Sequence, residues 1–373
     1  MNVSENQKLQ FAYDTPKALV RRQRPEMSAR LGAVVCCAGY GKSSYLAQLN
    51  EESEDSVLLS LKQYDNSPER ITDVIEAALD SHSEGKSGCD KVFHFTKEMS
   101  ARKRGLVLID NADVITDKEA AALMTIICDA ALAGGFKLLL AGRSIPSFFV
   151  GYLMNKSASL YGIREMRFTK GETEEYLKLI NKQYDETYLN ALFSFTGGWC
   201  AGVSEIAKNA DTYPDITNCL NKTYLEKYIE YNVLSDLGAD LAEYLKLTAY
   251  SDSKNSDFAS AVFGINDGKS REERLISSGV LSTDENGNAI IPEVMRALLS
   301  NTLDYDKKRR ITERASQYYI KEKCFAEAVK LFDVSGNAAA AERMLKDYGE
   351  KFLSNYEFEL VGYCGDIIEK NGG

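Results

Sequence analysis

The sequence predicts a multidomain chain of α/β plus α class: a parallel-sheet core, then all-helical parts with one small hairpin. Three observations carry this. Short apolar runs alternate with helical stretches as far as Gly142. After Thr169 the apolar residues change to helical spacing. Farther on, the order helix, helix, hairpin, helix precedes an all-helical end. A length of 373 residues allows about two to four domains, and a hydrophobic content of 44% lets each bury a core.

Leu31–Cys36 is an apolar run ending in a Gly-rich turn, the pattern of a buried parallel strand. Ser43–Glu51 reads as the following helix and Ser56–Leu61 as a second strand. Pro68–Ser81 reads as a second helix with proline at its start. The longest polar stretch, Ser81–Lys91, reads as a surface loop. Gly105–Asp110 is a third strand, Asp117–Ala133 a helix ended by Gly134-Gly135, and Phe136–Gly142 a fourth strand. A fifth strand is placed at Arg164–Phe168. Strands alternating with helices require crossovers and hence a parallel sheet.

Thr169-Lys-Gly-Glu172 has capping-box spacing, and helical periodicity runs from there to about Ala210, broken by Thr196-Gly-Gly-Trp199. Tyr224–Tyr250 is helical again. Phe258–Phe263, Arg271–Ser278, Val280–Ser282 and Ala289–Ile291 follow, with the hairpin signal Asn286-Gly287 between the last two. That is the order of a winged-helix domain. Residues 305–373 read as all helix, with a repeat-like rhythm at Ala315, Tyr319, Ala326, Ala328, Leu331, Phe332 and Gly336. A solenoid needs at least about three repeats to bury its core. One and a half of them lead us to expect a piece of a longer protein.

Ala38-Gly-Tyr-Gly-Lys-Ser43 follows a strand and opens a helix, the context of a phosphate-binding loop spanning Cys36–Ser43. Gly39 and Gly41 let backbone N–H groups face phosphates, Lys42 reaches the β- and γ-phosphates, and the Ser43 hydroxyl suits Mg²⁺. The full pattern would place glycine at Cys36. The strand Leu106-Val-Leu-Ile-Asp110 supplies the second half, with Asp110 as a metal carboxylate. The next residue, Asn111, cannot accept a proton, so hydrolysis is expected to be slow or to use another base. Asp113 is expected to point elsewhere. Arg143, just past the fourth strand, is placed to sense a terminal phosphate. The expected ligand is a purine nucleotide, ATP or ADP, with Mg²⁺.

Composition excludes other classes. A net charge of −10 gives no broad positive field for nucleic acid. The clusters Arg21-Arg22-Gln23-Arg24, Arg102-Lys103-Arg104 and Lys307-Lys308-Arg309-Arg310 read as solvated faces. Eight cysteines and two histidines without CxxC spacing argue against a zinc site. Cys36 and Cys37 read as small core hydrophobes in a reducing cytosol. The sequence shows no signal segment, and no apolar run approaches the roughly 20 residues that span a bilayer. The expectation is a cytoplasmic protein without membrane contact. No Ser/His/Asp set suggests other catalysis.

These segments resemble the signal-transduction ATPases called STAND proteins, in particular large LuxR-family transcriptional regulators of the maltose-regulon-activator type. Cys37–Ser44 is similar to their Ala-Pro-Ala-Gly-Tyr-Gly-Lys-Thr-Thr loop, which adds Ala38, Tyr40 and Ser44 to the expected nucleotide contacts. Leu59–Arg70 is similar to their second-strand segment, Leu108–Asn111 to their Ile-Asp-Asp strand end, and Leu140–Pro146 to their sensor strand. Met166–Thr169 resembles the start of their lid, Thr196–Gly202 their Gly-Trp motif, and Tyr224–Leu299 their winged helix. Cys36, Cys37 and Asn111 depart from the pattern, and Pro292 stands where relatives carry a histidine.

The resemblance implies a P-loop NTPase core over 1–170, a helical lid over 171–222, a winged-helix domain over 223–304 and the start of TPR-like helical repeats over 305–373. It implies a switch that ADP keeps closed and that ATP opens to self-association, with an inducer acting through the C-terminal repeats. DNA would be bound only through a helix-turn-helix absent from this chain. Arg21 lies in the segment that wraps the base in relatives, and Trp199 clamps the lid, packs near adenine or is a core tryptophan in a helix pair. An active remodelling or defence ATPase and a nucleotide-binding scaffold stay open as alternatives.

Overall fold

A computed structural model describes residues 29–79, 87–251, 256–283 and 289–371. The chain divides into two compact units, residues 1–237 with 274–295, and residues 238–273 with 296–373.

The first unit is built on five parallel strands: β1 Leu31–Val35, β2 Ser56–Ser60, β3 Leu106–Asp110, β4 Lys137–Gly142 and β5 Ala158–Tyr161. Their order across the sheet is β2-β3-β4-β1-β5. Every residue of β1 is buried, as are four of the five in β3 and five of the six in β4. Such strands are covered on both faces, which explains why they read as unbroken apolar runs. The covering helices are α1 Lys42–Glu52, α2 Pro68–Ala78, α3 Gly88–Ala101 and α4 Lys118–Leu132. One continuous core joins Leu31, Val107, Ile109, Leu138 and Leu140 of the sheet to Ile71, Phe95, Met124 and Ile127 of the helices.

Two sequence expectations are corrected in this unit. The fifth strand is Ala158–Tyr161, not Arg164–Phe168, and it pairs with β1 from Leu31↔Ala158 to Val34↔Tyr161. Residues 163–166 instead form a short helix, whose Gly162 N–H is held by the Glu165 carboxylate. The stretch expected as a loop to Lys91 already contains the start of α3, capped by Ser87 and Asp90 in a reciprocal box. Val92, Phe95, Thr96 and Met99 form its buried stripe. Residues 81–86, and the Asn286-Gly287 turn, lie outside the described residues.

Past β4 come the helices α5 Val150–Met154, α6 Ile163–Met166, α7 Lys170–Leu179, α8 Glu186–Thr196, α9 Cys200–Asn209, α10 Asp215–Asn218 and α11 Leu225–Asn232. The capping box expected at Thr169 and Glu172 is present, with both reciprocal hydrogen bonds. The second unit contains α12 Ala239–Ser251 and α13 Ser256–Phe258, the latter running into a π-turn at Ala259–Phe263. Helices α14 Gly268–Ser277 and α15 Glu293–Asn301 each begin in one unit and end in the other. Between them β6 Ser282–Thr283 pairs antiparallel with β7 Ala289–Ile290. The chain ends in α16 Tyr305–Lys321, α17 Phe325–Ser335, α18 Ala338–Ser354 and α19 Phe358–Asn371.

In the second unit Phe258 packs edge-on to Tyr318 at 5.2 Å, within a cluster containing Leu247, Val262 and Ile311. Phe325, Phe332, Met344, Phe352 and Ile367 form a separate cluster joining the last three helices. No helix among the described residues is long and apolar enough to cross a membrane.

Strand β4 is the central strand of the sheet. Leu139 is fully buried in β4. Leu139→Ala is expected to cost about 2–5 kcal/mol in urea unfolding followed by circular dichroism.

Candidate functional site

The site forms where β1, β3 and β4 end. Because β4 lies between β1 and β3 and all three run parallel, the residues just past them lie side by side at the same end of the sheet. The loop from Cys36 to Gly41 leaves β1 there and enters α1. Gly39 and Gly41 have φ of 87° and 76°, the left-handed conformation expected of this loop.

Helix α1 has no side-chain cap and no acid in its first turn. The first N–H groups of a helix lack intrahelical acceptors and carry the positive end of its dipole. The loop and helix start therefore offer an electropositive rim of backbone donors at Lys42, Ser43 and Ser44. Lys42 is nearly buried, and its Nζ donates to the carbonyls of Cys36 at 2.7 Å and Cys37 at 3.0 Å.

Asp110, at the end of β3, accepts a hydrogen bond from the Ser43 side chain and another from the Asn111 N–H at 3.0 Å. Burial raises its carboxyl above the ordinary value, while Ser43, Lys42 and the Asn111 N–H pull it back down. Ser43 and Asp110 are thus brought together as a hydroxyl–carboxylate pair of hard oxygens, a donor set suited to Mg²⁺. Among the described residues no group of three or more His, Cys, Asp or Glu is placed to hold a metal.

Asn111 adopts the left-handed conformation, φ 56°, and its side-chain amide donates to the Leu61 carbonyl at 3.1 Å. It stands at the site with its amide turned to the end of β2. Asp113, expected to point elsewhere, lies against Gly142 at the end of β4, and its charge raises Asp110. The 3₁₀ turn Ala112–Val114 that follows Asn111 carries it back toward the sheet. Arg143 donates through Nη1 to the Asn232 carbonyl at the end of α11, at 3.1 Å, and is close enough to lower the Cys37 thiol electrostatically. Burial dominates at Cys37 and pushes its pKa up to about 12, so it is a neutral core group. Arg21 lies outside the described residues.

The sequence reading missed how firmly other segments hold the loop. Cys37 N–H donates to the Gly279 carbonyl at 2.7 Å. The Trp199 indole N–H donates to the Ala38 carbonyl at 3.1 Å. Ala201 N–H donates to the Gly39 carbonyl at 2.9 Å. The Cys200 thiol meets the Tyr40 carbonyl at 3.4 Å. Four consecutive loop residues each have a partner supplied from elsewhere in the chain.

Two glycines make this approach possible. A Cβ at Gly39 would fall 2.4 Å from Trp199 Nε1, and one at Gly279 (φ 68°) would fall 2.8 Å from the Cys36 Cα. Trp199 is fully buried, packs on Tyr228 at 6.1 Å, and is positioned by Gly198, whose carbonyl accepts from Phe168 N–H at 2.8 Å. Pro292 stands against Gly197, next to the same segment. The Gly-Gly-Trp motif was the one sequence signal for this clamp. The Gly279 contact has no motif.

Two outcomes follow. Gly39→Ala should displace the indole, so emission from the single tryptophan shifts to longer wavelength and the loop loses its shape. The ionised form of Asp110 costs stability as pH rises through its raised folded value. Asp110→Asn should therefore raise the melting temperature of the ligand-free chain at neutral pH, by an increment that shrinks as pH falls toward the ordinary carboxylate range.

Residues 23–145 match the family model described as "AAA domain", one third of the chain. Among curated proteins the chain is similar to the HTH-type transcriptional regulator MalT of Cronobacter sakazakii, 22% identical over 275 residues, covering 67% of this chain and 30% of that protein. MalT of Serratia proteamaculans is 25% identical over 276 residues with the same coverage. The chain thus spans about 30% of the length of these relatives. Among solved structures it resembles a Walker-type ATPase of Pyrococcus abyssi, with a TM-score of 0.56 and 14% identity over 73% of this chain and 91% of that one. The chain has a P-loop NTPase fold, which implies nucleotide binding, and weak sequence similarity to a LuxR-family regulator.

Proposed function

We propose that this chain is the nucleotide-controlled switch of a LuxR-type transcriptional regulator of the STAND class, binding ADP and ATP with Mg²⁺ and hydrolysing slowly. The observation that carries the reading is the grip on loop residues Cys37 to Tyr40 by Gly279, Trp199, Ala201 and Cys200. A loop held this way ties nucleotide contact to the arrangement of segments far along the sequence. The similarity to MalT adds the regulatory setting.

In this reading 1–170 is the core, 171–222 the lid, 223–304 a winged-helix domain and 305–373 the start of TPR-like repeats that receive an inducer. Backbone N–H groups from Ala38 to Ser44 cradle the phosphates. Lys42 exchanges the Cys36 and Cys37 carbonyls for phosphate oxygens. Ser43 and Asp110 would hold Mg²⁺, which neutralises phosphate charge when bound. Arg143 reports the terminal phosphate to the end of α11 through its bond to Asn232. Arg21 contributes at the base. ATP in place of ADP loosens the grip and permits self-association.

The second reading, an active ATPase, needs a proton acceptor beside the attacking water. Asn111 cannot serve, and its amide is occupied at Leu61. Asp113, set at the end of β4, is the residue on which that reading depends.

Calorimetry with ATP and ADP, with and without Mg²⁺, separates these readings. The switch predicts tight ADP binding that Lys42→Ala abolishes, and turnover below about one per minute, well under the usual enzyme range. Turnover of about one per second or more that Asp113→Asn removes would establish the ATPase. Absence of binding by either nucleotide would overturn both.

A further inference from the structure

Among the described residues no strand pairs with the outer edge of β2, and this edge carries a feature that the nucleotide site does not use. Strand β2 is the outermost strand on its side. Its odd-numbered residues face β3: Leu61 N–H donates to the Asp110 carbonyl and the Asp55 carbonyl accepts from Leu106 N–H. The alternation of a parallel ladder then turns the backbone N–H and C=O groups of Leu58 and Ser60 outward. Beside this edge lies a groove of about 480 Å³ between β2 and α2. Its apolar floor is formed by Leu58, Val74, Ala77 and Ala78.

One end of the groove is cationic. Lys62 Nζ lies 5.7 Å and the Arg70 guanidinium 5.9 Å from the centre of the Tyr64 ring, which is 58% exposed. Among the described residues neither cation makes an ion pair. Asp65 is buried and its carboxylate is used by the Lys62 N–H at 2.8 Å. Two cations side by side stand out on a chain with net charge −10. They lie beside the first turn of α2, whose dipole adds positive potential. Asp73, one turn along α2, lines the groove with the opposite charge.

We propose that this groove docks an extended segment of a partner protein by strand addition to β2. The segment pairs with the backbone of Leu58 and Ser60, lays small apolar side chains on the floor, and places a carboxylate between Lys62 and Arg70. Asp73 rules out an acidic run along the whole segment and limits the carboxylate to the Lys62 end.

The test uses two fluorescein-labelled, end-blocked peptides, Glu-Val-Thr-Val-Thr and Thr-Val-Thr-Val-Glu, which between them put a single carboxylate at that end in either strand direction. Fluorescence polarisation should show saturable binding, weakened about tenfold or more by Lys62→Glu together with Arg70→Glu. That double variant should instead prefer the peptide with lysine in place of glutamate. Proline at the centre of the peptide should abolish binding, and hydrogen exchange should slow at Leu58 and Ser60. Both substituted residues are exposed, and unchanged circular dichroism checks that the variant is folded. Equal binding of the Glu and Lys peptides, or an undiminished signal with the variant, would overturn the proposal. A self-associated wild-type chain that the same substitutions make monomeric would assign the groove to a second copy and overturn it equally.

Discussion

The hold on the phosphate-binding loop is the constraint on which the rest of the first unit depends. A loop of this kind turns its N–H groups toward a ligand, and its carbonyls are left needing donors. Here those donors come from afar in sequence: the Trp199 indole, the Ala201 N–H and the Cys200 thiol, with Gly279 accepting from Cys37 in return. The Trp199 and Ala201 contacts need close approach at Gly39, and the Cys37 contact needs it at Gly279, where a Cβ would collide. The loop cannot change shape without disturbing α9 and the turn after α14. In the same way, neither of those segments can move away without leaving buried polar groups of the loop unpaired, at a cost typical of lost buried hydrogen bonds.

The sheet order gives this constraint its reach. With β4 between β1 and β3, the ends of three strands bring Asp110, Asp113 and Arg143 to one side of the loop. Arg143 extends the connection to α11, and Tyr228 of α11 packs on Trp199. The nucleotide site and the helices after it are therefore joined by a chain of contacts from the loop through Trp199, Tyr228 and Asn232 to Arg143, whose charge acts back on Cys37. A set of contacts of this kind couples a ligand to distant segments if it has two arrangements that the ligand distinguishes.

The parts legible in the sequence were those fixed by local physics. Buried parallel strands must be apolar along their length, so Leu31–Val35, Leu106–Asp110 and Lys137–Gly142 announced themselves. Phosphate chemistry demands Gly39, Gly41, Lys42 and Ser43 in their spacing. Strand β5 was misplaced because it is a four-residue edge strand with no buried residue, existing through its pairing with β1. Helix α3 was partly hidden by the serine-rich stretch before it, although Val92, Phe95, Thr96 and Met99 have helical spacing. The side-chain direction of Asp113 depends on the 3₁₀ turn after β3. The Gly279 contact is backbone to backbone over a long sequence separation, and such contacts leave no pattern in residue types.

The central claim is that nucleotide state and loop grip are one equilibrium. Amide hydrogen exchange at Cys37 and Ala201, whose N–H groups form two of the four holds, measures that grip directly. With ADP bound, both amides should exchange slowly. With a non-hydrolysable ATP analogue both should exchange about tenfold faster or more, as expected of a ligand that prefers the open arrangement. Equal protection with the two nucleotides, each shown to be bound, would contradict the account and leave the loop a static structural joint.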